Sequence, residues 1–239
     1  MFLEIKNLYK RYKGASKESL HNINLSILSG EFVCITGPSG CGKTTLLNMI
    51  AGLDMPTSGG VYLNGNRVYA PGADRIVMFQ EHALYPWLNV IDNVKFGMKL
   101  AGMNKQEQEI RAEKFLKMVR LWDYRNYAIH ELSGGMKQRI SLARALTLNS
   151  KILLMDEPFS SLDKQSATML RTDLEMIWEE TKKTIILVTH SISGAVCFAD
   201  RVVVLSENLG NIKEIHMIDL SRPRQINSKD QDKLIQKNL

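Results

Sequence analysis

Eight consecutive residues carry the strongest chemical signal in this 239-residue chain: Gly37-Pro38-Ser39-Gly40-Cys41-Gly42-Lys43-Thr44. They fill the pattern G-x-x-x-x-G-K-[ST], after an apolar run at 32–35 and at the start of a helix-compatible segment, 43–51. Glycine lets such a loop turn tightly, so that successive backbone N–H groups point inward and the helix N-terminus adds partial positive charge. An ammonium at Lys43 can then reach the β- and γ-phosphates of a nucleotide, and the Thr44 hydroxyl can ligate Mg²⁺. Thr45 completes the candidate phosphate-binding surface. The plainer reading is a Gly-rich strand-to-helix turn, which the placement between a buried strand and a helix disfavours.

A second pattern supplies carboxylates. The apolar run 152–155 leads directly into Asp156-Glu157-Pro158, and ligands of open α/β sheets bind at the carboxyl ends of strands. Asp156 suits the Mg²⁺ side of the site, and Glu157 suits the role of orienting and deprotonating an attacking water. Acids and proline also punctuate strands generally, but a phosphate cradle needs a metal-side carboxylate. A third pattern is Leu132-Ser133-Gly134-Gly135-Met136 ahead of a helix-like segment, 137–148. Its Ser-Gly-Gly start offers N–H groups and a hydroxyl to an anion. One phosphate cradle leaves little use for a second, unless the second serves another molecule's nucleotide.

The elements that must position these residues can be read from hydrophobic pattern. Runs at 32–35, 152–155, 184–189 and 201–206 are rich in Val, Ile and Leu without polar alternation, as expected of strands covered on both faces. Helix-compatible stretches at 43–51, 105–119, 134–148 and 163–181 lie between them. This alternation predicts an α/β fold with a mostly parallel sheet. Residues 3–9 and 23–28 instead alternate apolar and polar, which predicts an N-terminal antiparallel β edge. Residues 61–63 followed by Asn64-Gly65 predict a hairpin turn. From 88 to 150 only helical pattern remains, which predicts an inserted helical subdomain. The expected organisation is one domain over 1–239, with an α/β core at 1–87 and 151–225, the helical insert at 88–150 and a short tail at 226–239.

Composition narrows the partners. The chain has 31 Lys and Arg against 25 Asp and Glu, a net charge of +6, with 44% hydrophobic residues. Residues 1–20 hold five bases and two acids, and residues 210–239 hold six and four. The rest is close to neutral, so a solvated basic surface is expected rather than a nucleic-acid stripe. No apolar run reaches the roughly 18 residues that would cross a bilayer, and the N-terminus lacks a signal-peptide core. Three cysteines (Cys34, Cys41 and Cys197) are too few and too far apart for a disulfide framework or a zinc site, which suits a reducing cytosol.

Taken together, these motifs closely resemble the ATP-binding subunits of ABC transporters over nearly the whole chain. The resemblance implies a P-loop NTPase with a RecA-like sheet. It implies that the LSGGQ signature of one subunit caps the ATP held by its dimer partner's P-loop, with Met136 here in the glutamine's place. Tyr12 falls where the family has an adenine-stacking aromatic. Gln80, after 75–79, matches the Q-loop glutamine that touches Mg²⁺ and couples to the membrane subunits. Ser160-Ser161-Leu162-Asp163 matches the D-loop, and His190, after 185–189, the switch histidine. Each has a plainer reading as well: Tyr12 as a surface tyrosine, Gln80 as a strand end, Asp163 as a helix N-cap and His190 as a structural histidine.

The resemblance therefore assigns Glu157, His190, Lys43 and Gln80 to catalysis. Tyr12, Gly37, Pro38, Ser39, Gly40, Cys41, Gly42, Lys43, Thr44, Thr45, Ser133, Gly134, Gly135 and Asp163 would bind ATP, and Thr44, Gln80 and Asp156 would hold Mg²⁺. Implied partners are a second copy of the chain, separate transmembrane permease subunits and, indirectly, a solute-binding protein, with the chain on the cytoplasmic face of the membrane. Residues 79–94 and Leu220-Ser221-Arg222-Pro223-Arg224 look like the nitrate, sulfonate and taurine importer group, whereas Ser191 and Gly194 stand where that group often has acids. Competing readings are a non-transport ABC ATPase, which usually carries two cassettes or a long coiled coil, and a nucleotide-gated regulatory binder.

Overall fold

Strands with one apolar face need a dry side and a wet side, whereas strands apolar on both faces need cover above and below. The two kinds separate cleanly in the structure, a computed structural model that describes residues 1–160, 162–207, 210–219 and 224, without the side chains of 192–194. Two compact units result, one from residues 1–75 together with the chain from 183 onward, the other from residues 76–182.

The first unit begins with β1 (Leu3–Lys10), β2 (Leu20–Ile27), β3 (Phe32–Thr36), α1 (Lys43–Ala51), β4 (Ser58–Leu63) and β5 (Asn66–Arg67). The second begins within β6 (Arg75–Met78) and continues with α2 (Val90–Leu100), α3 (Lys105–Met118), α4 (Gly134–Thr147), β7 (Ile152–Asp156) and α5 (Lys164–Thr181). The chain then returns to the first unit with β8 (Thr184–Val188), α6 (Ile192–Phe198), β9 (Arg201–Leu205) and β10 (Ile212–Met217).

In the first unit the antiparallel strands form a sheet of their own, in the order β2-β1-β4-β5. The expected edge is therefore a separate layer, because its strands bury only one face. The Asn64-Gly65 turn joins β4 to β5 with φ of 50° and 80°, as the sequence led us to expect. Both β1 and β2 carry an asparagine at positive φ, Asn7 at 44° and Asn22 at 47°, beside irregularities in their register. These bulges change which alternate residues face inward: β1 buries Leu3 and Ile5, then Leu8 and Lys10. The second sheet of this unit runs β10-β9-β3-β8, with β9 and β8 parallel to β3 and β10 antiparallel at the edge. Every residue of β3 and β8 is buried, which is the continuous apolar pattern that marked them in the sequence.

In the second unit β6 and β7 are neighbours, and helices α2, α3 and α4 pack on one another while α5 packs on α4. Side-chain caps start each helix: Asn89 accepts from Asp92 N–H at 2.8 Å, Asn104 from Glu107 N–H at 2.8 Å, and Ser133 from Met136 N–H at 3.3 Å. Ahead of α2, the segment 85–89 is held by one fully buried amide. Asn93 accepts from Tyr85 N–H at 2.8 Å, and its amide nitrogen shares two hydrogens among the carbonyls of Tyr85, Leu88 and Asn89 at 3.0–3.2 Å. Asn93→Ala leaves the Tyr85 N–H without its acceptor and the Leu88 carbonyl without this donor, while the Tyr85 and Asn89 carbonyls keep backbone donors, and is expected to cost about 1–3 kcal/mol. Urea unfolding should show a lower midpoint with an unchanged slope.

Candidate functional site

The phosphate-cradling loop leaves β3 at Gly37 and enters α1 at Lys43. Two of its glycines, Gly37 and Gly42, are required by space as well as by torsion. Gly42 has φ of 99°, and a Cβ there would lie 2.5 Å from the Ser19 carbonyl oxygen. Gly37 has φ of 153°, and a Cβ would lie 2.8 Å from both Cys41 Sγ and the Leu205 carbonyl oxygen. Gly40, at φ 78°, faces open space. Helix α1 starts from Gly42 with no side-chain cap and no acid in its first turn, so its N-terminal amides keep their attraction for an anion. The Lys43 side chain is buried and curls back over the loop, donating to the carbonyls of Gly37 at 2.9 Å and Pro38 at 2.8 Å. Pro38, Ser39, Gly40 and Thr44 are exposed, Thr45 is half-buried, and Cys41 is buried beneath the loop.

His190 emerges beside this loop. Ile35 of β3 is in parallel register with Val188 of β8, and Thr189 N–H donates to the Ile35 carbonyl at 3.1 Å. Gly37 and His190, each two residues further on, thus leave the sheet from adjacent strands at the same level, with His190 exposed. Tyr12, just past β1 and 43% exposed, also belongs to this unit, and the Lys10 ammonium sits 4.6 Å from its ring centroid.

The second unit holds the remaining candidates. Asp156 ends β7 and is buried. Glu157 is half-buried and takes a left-handed backbone conformation, φ 47°, which costs a non-glycine residue roughly 1–2 kcal/mol. The following turn is closed by Ser160, whose N–H and hydroxyl both donate to the Glu157 carbonyl, at 3.2 and 2.9 Å. The Gln80 amide donates to Ser160 Oγ at 3.4 Å, so the structure brings Gln80 to the turn that carries Glu157. Ser161 and Leu220–Pro223 lie outside the described residues, as does the tail at 226–239.

The Ser-Gly-Gly motif opens α4. Ser133 and Gly134 are exposed, a Cβ on Gly134 would meet nothing within 4 Å, and the first turn contains no acid. Gly135, in contrast, lies against the start of α5: a Cβ would stand 2.7 Å from Ser166 Oγ. That hydroxyl donates to Asp163 Oδ2 at 2.6 Å, while Asp163 Oδ1 accepts from the N–H groups of Gln165 and Ser166. Asp163 is therefore the N-cap of α5. Hydrogen bonding, from the Ser166 hydroxyl first and the backbone amides next, holds its carboxyl below the usual range.

One functional arrangement was not read from the sequence. Gln138 on α4 is fully buried and donates to the Pro158 carbonyl at 3.0 Å. Its Oε1 lies 2.5 Å from His82 Nδ1. Since the amide nitrogen is committed to Pro158, Oε1 must accept, and His82 must carry its proton on Nδ1. Ser141 and Arg144 of the same helix donate to the backbone of His82 and Ala83. Helix α4 thus ties the segment after Gln80 to the turn after Glu157. Its only sequence signal is a lone Gln inside an apolar helix face, which has no distinctive spacing.

A glycine cradle ahead of a helix, on a parallel sheet, defines a P-loop nucleotide-binding protein of the α/β class. The profile of the ABC transporter family matches residues 20–160. An ABC transporter ATP-binding protein of Methanocaldococcus jannaschii is 50% identical over 224 residues, covering 93% of this chain and 84% of that one. The nitrate import ATP-binding protein of Synechocystis is 46% identical (92% and 84% covered), and the taurine import ATP-binding protein of Shigella dysenteriae is 45% identical (92% and 86% covered). A solved dimeric ATP-binding cassette in a post-hydrolysis state, bound to ADP and Pi, superposes with a TM-score of 0.79 at 34% identity, covering 92% of this chain and all of that one. The chain belongs to the ATP-binding proteins of ABC transporters, and it is an ATPase subunit of that class.

Gln138→Leu removes both ends of the bridge while conserving approximate volume. The buried Pro158 carbonyl and the half-buried His82 ring lose partners, so a stability loss of about 1–3 kcal/mol is expected, together with slower ATP turnover. Thermal melts and steady-state phosphate release would check it, and a variant as stable and as active as the parent would show the bridge to be incidental.

Proposed function

We propose that this chain is the motor of an importer for a small solute such as nitrate, a sulfonate or taurine, and that two copies close around two MgATP. The observation that carries the reading is that one chain presents two glycine-led helix N-termini, α1 behind the glycine cradle with no side-chain cap and α4 at Ser133–Gly135 capped only by a neutral hydroxyl, with no acid in either first turn. Two such ends on one chain suit a nucleotide held by the cradle of one copy and capped by the Ser-Gly-Gly of the other. The nitrate and taurine import proteins among its relatives support the transport role and the solute class.

In this reading Tyr12 stacks on adenine, and the loop from Gly37 to Thr45 holds the phosphates. Thr44, Gln80 and Asp156 are a hydroxyl, an amide and a carboxylate, an oxygen-only set that fits Mg²⁺, which would neutralise charge on the β- and γ-phosphates. Glu157 takes a proton from a water as its oxygen attacks the γ-phosphorus in line. The bond to the β–γ bridging oxygen breaks, and ADP and phosphate leave. Lys43 and His190 hold charge that builds on the transferred group, and Asp163 communicates across the dimer. Residues 88–150, with Gln80, carry the resulting motion to separate permease subunits on the cytoplasmic face of the membrane, and a solute-binding protein delivers cargo from the other side. No helix among the described residues is long and apolar enough to cross a membrane, which suits a motor that works on membrane subunits made as other chains.

Glu157→Gln should keep ATP affinity, lose at least about a hundredfold in turnover and accumulate as an ATP-bound dimer in size-exclusion chromatography. Near-parent turnover would remove Glu157 as the base. Lys43→Ala removes a charged donor to phosphate, so ATP affinity should fall about ten- to a hundredfold along with hydrolysis. An unchanged ATP titration would remove the cradle from the mechanism.

A further inference from the structure

Lys10 is an unusual residue to find on the inward face of a strand. It gets there because the bulge at Asn7 changes the parity of β1, so that the alternation reads Leu8, Lys10 rather than the odd positions before it. Its residue is only 9% exposed. The ammonium is fully engaged: it donates to Asp54 Oδ1 at 2.6 Å and to the Met55 carbonyl at 2.8 Å, and it lies 4.6 Å from the Tyr12 ring centroid. An apolar side chain at this position would pack without the desolvation that an ammonium suffers on burial. A role in core packing therefore does not account for the choice.

The other end of the pair is anchored to α1. Gly52 ends that helix at φ 75°, and the N–H groups of Leu53 and Asp54 both donate to the Asn48 carbonyl, at 2.9 and 3.4 Å. Thr57 then stitches the segment along β1, its N–H donating to the Tyr9 carbonyl at 2.8 Å and its Oγ1 accepting from Arg11 N–H at 2.9 Å. Tyr12 is thus referenced, through Lys10 and Asp54, to the same helix whose N-terminus forms the phosphate cradle.

We propose that Lys10 and Asp54 are positioning residues for the nucleotide base, their part-buried ion pair holding the Tyr12 ring as a fixed stacking platform. Past the end of β1 a half-exposed tyrosine with no such hold would sample several rotamers. A cation over one face selects the ring's orientation, draws electron density from it, and leaves the opposite face to an electron-rich purine. Ordering the ring before the nucleotide arrives removes an entropy loss from binding. The inference rests on the reading that Tyr12 stacks on adenine.

Calorimetry of the purified chain with MgATP and, separately, with magnesium tripolyphosphate, which has no base, tests it. Lys10→Met should weaken ATP about three- to tenfold and leave tripolyphosphate within about twofold. Combined with Tyr12→Ala, it should add nothing to the loss from Tyr12→Ala alone, and Lys10→Arg should keep most of the affinity. Asp54→Asn, at a partly exposed carboxylate, removes the charge that holds the ammonium without emptying the strand position, and should reproduce the direction of the ATP-selective loss if Lys10→Met folds poorly. If Tyr12→Ala leaves ATP affinity unchanged, the stacking reading itself fails. If Tyr12→Ala weakens ATP while Lys10→Met and Asp54→Asn bind it as the parent does, or more tightly, the positioning role is overturned. Equal losses for ATP and tripolyphosphate would overturn it too, by showing a general structural defect.

Discussion

A triphosphate can be held with few basic side chains only where backbone N–H groups converge on it, and at residues 37–42 that convergence depends on absent Cβ atoms. The Ser19 carbonyl, which leads into β2, closes on Gly42, and the Leu205 carbonyl at the end of β9 closes on Gly37. The loop is therefore pinned from both sheets of its unit, one antiparallel and one parallel. The layers around it are spaced by what glycine permits. A methyl group at either position would have to move backbone, not merely a side chain, so the constraint reaches well beyond the loop.

The second unit solves a related problem by strain and hydrogen bonding. Glu157 sits in a conformation that its side chain disfavours, and such a residue persists only where its surroundings over-determine it. Two bonds from Ser160 to its carbonyl and the Gln138 bond to the next residue, Pro158, do this. Because Gln138 also binds His82, the turn that carries Glu157 and the segment that follows Gln80 share one buried amide. A displacement of either is felt by the other, which is what a coupling segment requires.

Much of this architecture was legible in the sequence because its signals are local and physical. Strands β3, β7, β8 and β9 read as unbroken apolar runs, and helix α1 covers the same residues as its pattern predicted. The hairpin at Asn64-Gly65 followed from turn chemistry. Three things were not legible. The bulges at Asn7 and Asn22 use a positive φ that asparagine tolerates but does not announce, so the inward turn of Lys10 was invisible. Strand β10, mostly exposed and with three charged or titratable residues at Lys213, Glu214 and His216, lacks the periodic signal of a strand. Gln138 matters through partners some 56 and 20 residues away in sequence, a relation that no local pattern encodes.

The net charge of +6 says little about how the cradle attracts an anion, and the state of Lys43 says more. An ammonium has three donors. In Lys43 two are taken by the Gly37 and Pro38 carbonyls, while Cys41 Sγ, 4.0 Å away, is a weak partner for the third. Two strong bonds to backbone fix the side chain in place without satisfying it. A phosphate oxygen can take the remaining donor without displacing the others, so the lysine need not be reordered on binding. The same two bonds neutralise carbonyls that would otherwise face the anion. Lys43 thus works on the loop as much as on the ligand, and a free, solvated lysine of equal charge elsewhere on the surface could do neither.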